Sequence, residues 1–253
     1  MARNDLLKAV NSLASCINKW TVRCDRRLHR LVAYIATTLD YRMTGWIPQD
    51  SSSILDSLSL DLYVDADHSG CFETMRSTSG VFLAFSGANL FWPLSAMSKK
   101  QVTPAHSTPE AEIVAYATGV RTTGLPALIL WRALLGFMNF PVTLRVHEDN
   151  SAMIQVCETG KNPTMRYINL TQATDVSWLH DITNSQFIDL VKTPTKLQAA
   201  DIFTKPFTNA VLWKPLLGLI GIHQPSELWT GGVATEISVS AKFQPGRLTR
   251  VCV

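Results

Sequence analysis

Between Leu58 and Asp67 the chain alternates. Leu58, Leu60, Leu62 and Val64 fall on one side, and Asp61, Tyr63, Asp65 and Asp67 on the other. A period of two marks a β-strand whose two faces meet different surroundings. The stretch before it has another period. Leu6, Leu7, Val10, Leu13 and Ile17, then Leu28, Leu31, Val32, Ile35, Ala36 and Leu39, recur at helical spacing. This predicts two helices over residues 4–40, broken near Lys19–Asp25. The Pro/Ser-rich stretch WIPQDSSSILDS, residues 46–57, predicts a linker between the two patterns.

Further elements follow the first strand. His68-Ser69-Gly70 ends it in a turn. Ser79–Phe85 and Asn89–Leu94 read as strands around a hairpin at Ser86-Gly87-Ala88, with Pro93 placing the second at an edge or near its end. Ser107 and Glu110 match a capping box, and Pro109 suits a first helical turn. The helix they open runs to about Phe137, with a break or kink expected from Gly124 and Pro126. A strand over Val142–His147, a short helix from Asn150, a loop over 159–169, a helix over Thr171–Ile182 and a strand over Gln186–Lys192 complete the pattern. Thr195 with Gln198 resembles a second capping box, opening a helix through Asp201. The body is therefore β-β-β-α-β-α-β-α over residues 58–207, an α/β pattern. Residues after Ile222 show no strong pattern.

Charge is uneven. Residues 1–45 carry eight basic residues against three acids, while the whole chain has a net charge of +3. A basic arm beside a mildly acidic body fits a polyanionic partner, and a solvated helix face fits the charge equally. The five cysteines are odd in number and widely spaced, as in a reduced, intracellular protein, cytoplasmic or nuclear. No signal-peptide core and no run of about 18 apolar residues stands out, so no membrane span is expected.

Four carboxylates stand at the ends of predicted elements: Asp65, Glu112, Asp149 and Asp201. Each has a plain structural explanation as well. Strand periodicity leaves Asp65 and Asp67 equal. Glu110 is accounted for by its capping box, which frees Glu112 to face the sheet or to sit on the helix surface. Asp149 suits the cap of the following helix. Glu148 is expected to point away by alternation, and Asp201 falls in a second helical turn, where solvent could take it. Clustered, the four would repel one another and need cations at neutral pH.

Taken together, YVDADHSG, RSTSGVFLAFSGANLFW, SKKQVTPAHSTPEAEIVAY, HEDNSA and QAADIFTKPF resemble the ribonuclease H domain of copia-type LTR-retrotransposon Pol polyproteins. RNDLLKAVNSLA…HRLVAYIATTLDYRMTG is similar to the end of the adjoining reverse transcriptase region, and WKPLLGLIGI to that family's C-terminal end. The resemblance covers about residues 2–222. It implies a ribonuclease H-like α/β fold, a mixed five-stranded sheet with flanking helices. It divides the chain into a helical remnant of the reverse transcriptase thumb or connection (1–45), a linker (46–57), the ribonuclease H-like domain (58–207) and a partly disordered extension (208–253).

The resemblance selects Asp65 over Asp67 and Glu112 over Glu110. It implies that Asp65, Glu112, Asp149 and Asp201 are catalytic and hold two Mg²⁺ or Mn²⁺ ions, which suit oxygen ligands and a phosphate substrate. The implied activity is endonucleolytic hydrolysis of the RNA strand of RNA–DNA hybrids, recognised through 2′-hydroxyls. Asn150, Lys99, Lys100 and Gln101 are candidate substrate contacts, and other Pol segments are candidate partners. The paired-aspartate motif of the polymerase is not in this sequence, so reverse transcription is not expected. Two departures stand out: Arg166-Tyr167-Ile168-Asn169 lacks the family's His and Asp, and the helix containing Glu112 gains Gly119, Gly124 and Pro126. An inactive nucleic-acid-binding remnant and, because the polymerase core is missing, a decayed fragment are the alternatives.

Overall fold

The structure, a computed structural model, describes residues 3–48, 58–71, 74–87, 89–137, 142–162, 165, 167–226 and 248–252. In chain order its elements are α1 (Leu7–Ala14), α2 (Val22–Thr37), β1 (Arg42–Pro48), β2 (Ser59–Asp67), β3 (Thr78–Gly87), β4 (Leu90–Lys100), α3 (Thr108–Gly119) and α4 (Leu125–Gly136). Then come β5 (Thr143–Glu148), α5 (Ser151–Thr159), α6 (Ile168–Gln172), α7 (Val176–Thr183), β6 (Ile188–Lys192), α8 (Asp201–Thr204), α9 (Ala210–Leu219), β7 (Ile222–His223) and β8 (Leu248–Cys252).

The sheet runs in the order β6-β5-β2-β3-β4-β1-β7, with β8 on β1. β2, β3 and β4 form an antiparallel meander, and β5 and β6 add parallel to β2. These five strands are the mixed five-stranded sheet of a ribonuclease H-like fold. The alternation in β2 separates two cores. Leu60, Leu62 and Val64 pack with Ile113, Tyr116 and Val120 on one face, and Tyr63 packs with Phe203, Leu217 and Ile220 on the other. Both faces are covered by helices, so β2 is buried along almost its whole length.

The sheet extends past the pattern expected for residues 58–207. Trp46–Pro48, expected in the linker, lie in β1, which pairs with β4, and residues 49–57 lie outside the described ones. Short β7 pairs with β1, and Leu248–Cys252, where no pattern was expected, also pair with it. β4 therefore has neighbours on both sides, and of the two positions expected for Pro93 the structure shows the one near a strand end. Pro93 is accommodated beside a register shift between Leu83 and Ala84, where the ladder is interrupted.

The expected break in the long helix is absorbed differently. A π-helical turn, Val120–Gly124, joins α3 to α4, with Pro126 in the first turn of α4. Such a turn re-registers the backbone hydrogen bonds that a proline would otherwise leave unmade. Glycine is needed where this run crosses the sheet. A Cβ on Gly119 would stand 2.6 Å from Val64 Cγ1, and one on Gly124 would stand 2.9 Å from Leu62 and Leu144 Cδ2. The whole run Thr108–Gly136 is long and apolar enough by length and composition to cross a membrane, contrary to the expectation that no such run is present. Half of its most apolar window is buried within the protein, as in a core helix.

The N-terminal helices are tied to this body. Asp5 accepts from Arg3 (2.8 Å) and from the Tyr34 hydroxyl (2.8 Å), and Trp213 of α9 donates to that hydroxyl (3.2 Å). Lys8 of α1 reaches Asp67 Oδ2 at 3.1 Å and the Thr78 hydroxyl at 2.9 Å.

Candidate metal centre

Asp65 sits near the end of β2, 1% exposed, on the face turned to α8. Its Oδ2 accepts from the Thr204 hydroxyl, and its Oδ1 lies 3.5 Å from Lys205 Nζ. Asp67, two residues on, accepts from the Thr78 backbone N–H and from Lys8, which pins the turn after the strand.

Glu112 enters from α3. Ser107 caps that helix by accepting from the Glu110 N–H (3.3 Å). Glu110 in turn accepts from the His106 N–H (2.9 Å) and the Gln172 amide (3.0 Å), so its carboxylate is fully engaged. Glu112 is left buried, its Oε2 without a hydrogen-bond partner. Burial, then the charges of Glu148, Asp65 and Asp149, push its carboxyl up to about 10.

Asp149 follows β5, where its Oδ2 accepts from the Thr195 hydroxyl at 2.8 Å. Asn150 caps α5, its Oδ1 accepting from the Ala152 and Met153 N–H groups. One oxygen from each of Asp65, Glu112 and Asp149 falls within 4.8 Å of the others. The three come from a strand, a helix and a strand-end loop. They line an open cleft of about 490 Å³ together with Asp67, Asn150 and Lys205.

Asp201 stands outside that trio. It opens α8 rather than occupying a second turn, and it meets Asp65 through Lys205, whose Nζ lies 2.6 Å from Asp201 Oδ1. Burial and the Asp65 charge push Asp201 up to about 7, against the opposing pull of Lys205. Burial disfavours the Lys205 ammonium, but Asp65 and Asp201 outweigh it and raise its pKa.

Several expectations change here. Glu148 does not point away. It shares the inward face of β5 with Leu144 and Val146, is fully buried, and accepts from the N–H groups of Asp149 (3.1 Å) and Asn150 (3.0 Å). Its Oε2 has no partner, and burial holds its pKa well above the carboxylate range. The alternation of β5 itself carried that signal. Thr195 and Gln198 form no capping box. Thr195 opens a short 3₁₀ turn and reaches Asp149, while Gln198 is extended and buried. The Gln198 amide donates to the carbonyls of Val64 (3.0 Å) and His147 (3.3 Å), just where the β2–β5 ladder ends at Tyr63 and His147. Its Oε1 accepts from the Ala200 N–H (3.3 Å).

Gln101 is not placed to meet a substrate. It is buried, and its amide is spent on the Ser79 hydroxyl (3.1 Å) and the Ala111 carbonyl (2.9 Å). Lys100 turns to Ser15 (3.5 Å) and Cys71 (3.2 Å), and Lys99 is exposed on β4; neither lines the cleft. Of the candidate contacts, Asn150 alone lines it.

The donor set fits a hard divalent cation. It is all oxygen, the buried Glu112 Oε2 lacks a partner, and a lysine ammonium already stands among the carboxylates as a tethered cation.

Comparison with known proteins then places the chain. It is 28% identical over 161 residues to the Retrovirus-related Pol polyprotein from transposon TNT 1-94 of Nicotiana tabacum, and 28% identical over 207 residues to that from transposon RE2 of Arabidopsis thaliana. These matches cover 62% and 82% of the chain.

Its homologues are retrovirus-related Pol polyproteins of plant transposons.

The chain spans only 11% and 13% of the length of those two Pol polyproteins. No protein-family model matches it. Among solved structures it aligns with LC11-RNase H1 from compost (14% identity, 58% of this chain and 92% of that one, TM-score 0.36). It also aligns with RNase H1 of Halobacterium salinarum (12% identity, 58% and 94%, TM-score 0.34).

Proposed function

We propose that this Pol-derived chain is a copia-type ribonuclease H domain that hydrolyses the RNA strand of RNA–DNA hybrids. The observation that carries the reading is the convergence of Asp65, Glu112 and Asp149 in an open cleft, with the buried Glu112 Oε2 left unpartnered. Asp65, Glu112 and Asp149 would hold Mg²⁺ or Mn²⁺, with Asp201 completing the set once Lys205 moves aside. Bound there, such ions supply activation of water and stabilisation of the leaving oxygen. The protein's own part is positioning. Thr204 orients Asp65, Thr195 orients Asp149, and Glu148 pins the turn between Asp149 and Asn150. The oxygen of Asn150 is committed to its cap, which leaves its Nδ2 to donate to a 2′-hydroxyl at the cleft wall.

A second reading rests on Lys205. Its ammonium already compensates Asp65 and Asp201, as a folded but inactive remnant would require. Incubation of a labelled hybrid with Mg²⁺ or Mn²⁺, beside Asp149→Asn, separates the two. Metal-dependent cleavage lost in the variant supports the nuclease. A cooperatively melting protein that cleaves nothing under any metal sinks it.

A further inference from the structure

An acidic cleft repels a polyanion until cations arrive, so strand binding needs a basic surface nearby. Arg23, Arg26, Arg27 and Arg30 of α2 recur at i, i+3, i+4 and i+7, which puts them on one helical face. Arg23, Arg26 and Arg30 are exposed, and Arg27 is half-buried against α1, where it donates to the Ser12 hydroxyl. None of the four forms an ion pair among the described residues, although Lys8, Arg145 and Lys205 do. The acid of the same helix, Asp25, lies two residues from Arg23, on the opposite face, and accepts from the Trp20 indole (2.7 Å). Four unpaired arginines in one stripe are not an ion-paired structural face.

The stripe is joined to the cleft by direct contacts. Asp67, on the cleft wall, holds Lys8 of α1. Ser12 lies one turn further along the same helix and holds Arg27. The stripe therefore stands across α1 from the rim of the cleft. Its length from Arg23 to Arg30 is about 10 Å, the rise of about three phosphates along one strand. We infer that the α2 arginine stripe is a phosphate track for the uncut strand of the hybrid whose RNA strand lies in the acidic cleft. This rests on the nuclease reading for the strand's identity, and on charge and placement for the track itself.

The test is fluorescence anisotropy of a labelled RNA–DNA hybrid against NaCl concentration, with the full chain in an Asp149→Asn background to prevent cleavage. Arg23→Gln/Arg26→Gln/Arg30→Gln is expected to weaken binding at least about 10-fold at 0.1 M salt and to reduce the log–log salt slope by about 2 to 3, the release of about three counterions. The matching lysine triple keeps the charge and is expected to keep the slope, which guards against a fold defect in the glutamine variant. An unchanged slope and affinity overturns the track, as does failure of the parent protein to bind the hybrid. Loss of binding to phosphatidylserine vesicles without loss on the hybrid would assign the stripe to a membrane surface and overturn it equally. If the slope falls but the native sequence cleaves no hybrid, the nuclease reading fails and the track stands. If cleavage is present and the slope is unmoved, the track alone fails.

Discussion

Replacing Gln198 with alanine tests how the cleft is held open. The side chain is fully buried between two parallel strands that part beyond Tyr63 and His147. Truncation removes the donor to Val64 O and His147 O and the acceptor for Ala200 N–H, three hydrogen bonds of 3.0, 3.3 and 3.3 Å. A buried polar group left without its partner costs about 1–3 kcal/mol, and a water entering the gap recovers part of that. The expected loss is about 3–5 kcal/mol, a large share of the 5–15 kcal/mol of roughly typical domain stability. For a chain of this size it corresponds to a fall in Tm of about 10 °C. Gln198→Glu keeps the shape but turns an anion toward two carbonyls, so it should be at least as harmful at pH 7 and recover towards acid pH, where the carboxyl can donate again. Urea unfolding followed by circular dichroism, with linear extrapolation, measures both variants. A loss below about 1 kcal/mol for Gln198→Ala with an unchanged m-value would refute the reasoning. The amide would then be a passenger between strands that part for another reason.

Other consequences are simpler to check. Lys205→Met removes the tethered cation between Asp65 and Asp201. The metal-free protein should melt lower and the Mg²⁺ concentration for half-maximal stabilisation should fall, while a rise would show that Lys205 supports rather than replaces the metal. Without metal, stability should decline as pH rises. An acid whose pKa is higher folded than unfolded stabilises fully below its unfolded value and loses that contribution as pH passes its folded value. For Asp201, raised from 3.8 to about 7, the span at 1.36 kcal/mol per pKa unit is roughly 4 kcal/mol. Melts from pH 4 to 8 in EDTA should show the decline, and Mg²⁺ should flatten it; an EDTA profile that rises with pH would contradict the burial of these acids. Gly119→Ala sets a helix-propensity gain of about 1 kcal/mol against a Cβ placed 2.6 Å from Val64 Cγ1. Overpacking of about 1–3 kcal/mol should win, and a stabilised variant in a denaturant melt would refute the close approach.

What the sequence by itself determined lies where a local period or a local cap carries the information. The alternation of Leu60, Leu62 and Val64 with Asp61, Tyr63 and Asp65 settles which face of β2 each residue takes, because a strand turns successive side chains to opposite sides. The Ser107–Glu110 box settles where α3 begins and which of two glutamates is free, because both partners lie within one turn. The same rule turns Glu148 inward when it is anchored on Leu144 and Val146, and outward when it is anchored on Asp149. Tertiary structure alone decided the rest. Whether Gln198 caps a helix or bridges two strands depends on carbonyls of Val64 and His147, far away in sequence. Whether β1 is a linker or a strand depends on β4, β7 and β8. Lys205 becomes the counter-charge of Asp65 because α8 packs against β2, and a pairing between residues 140 positions apart leaves no mark in local periodicity.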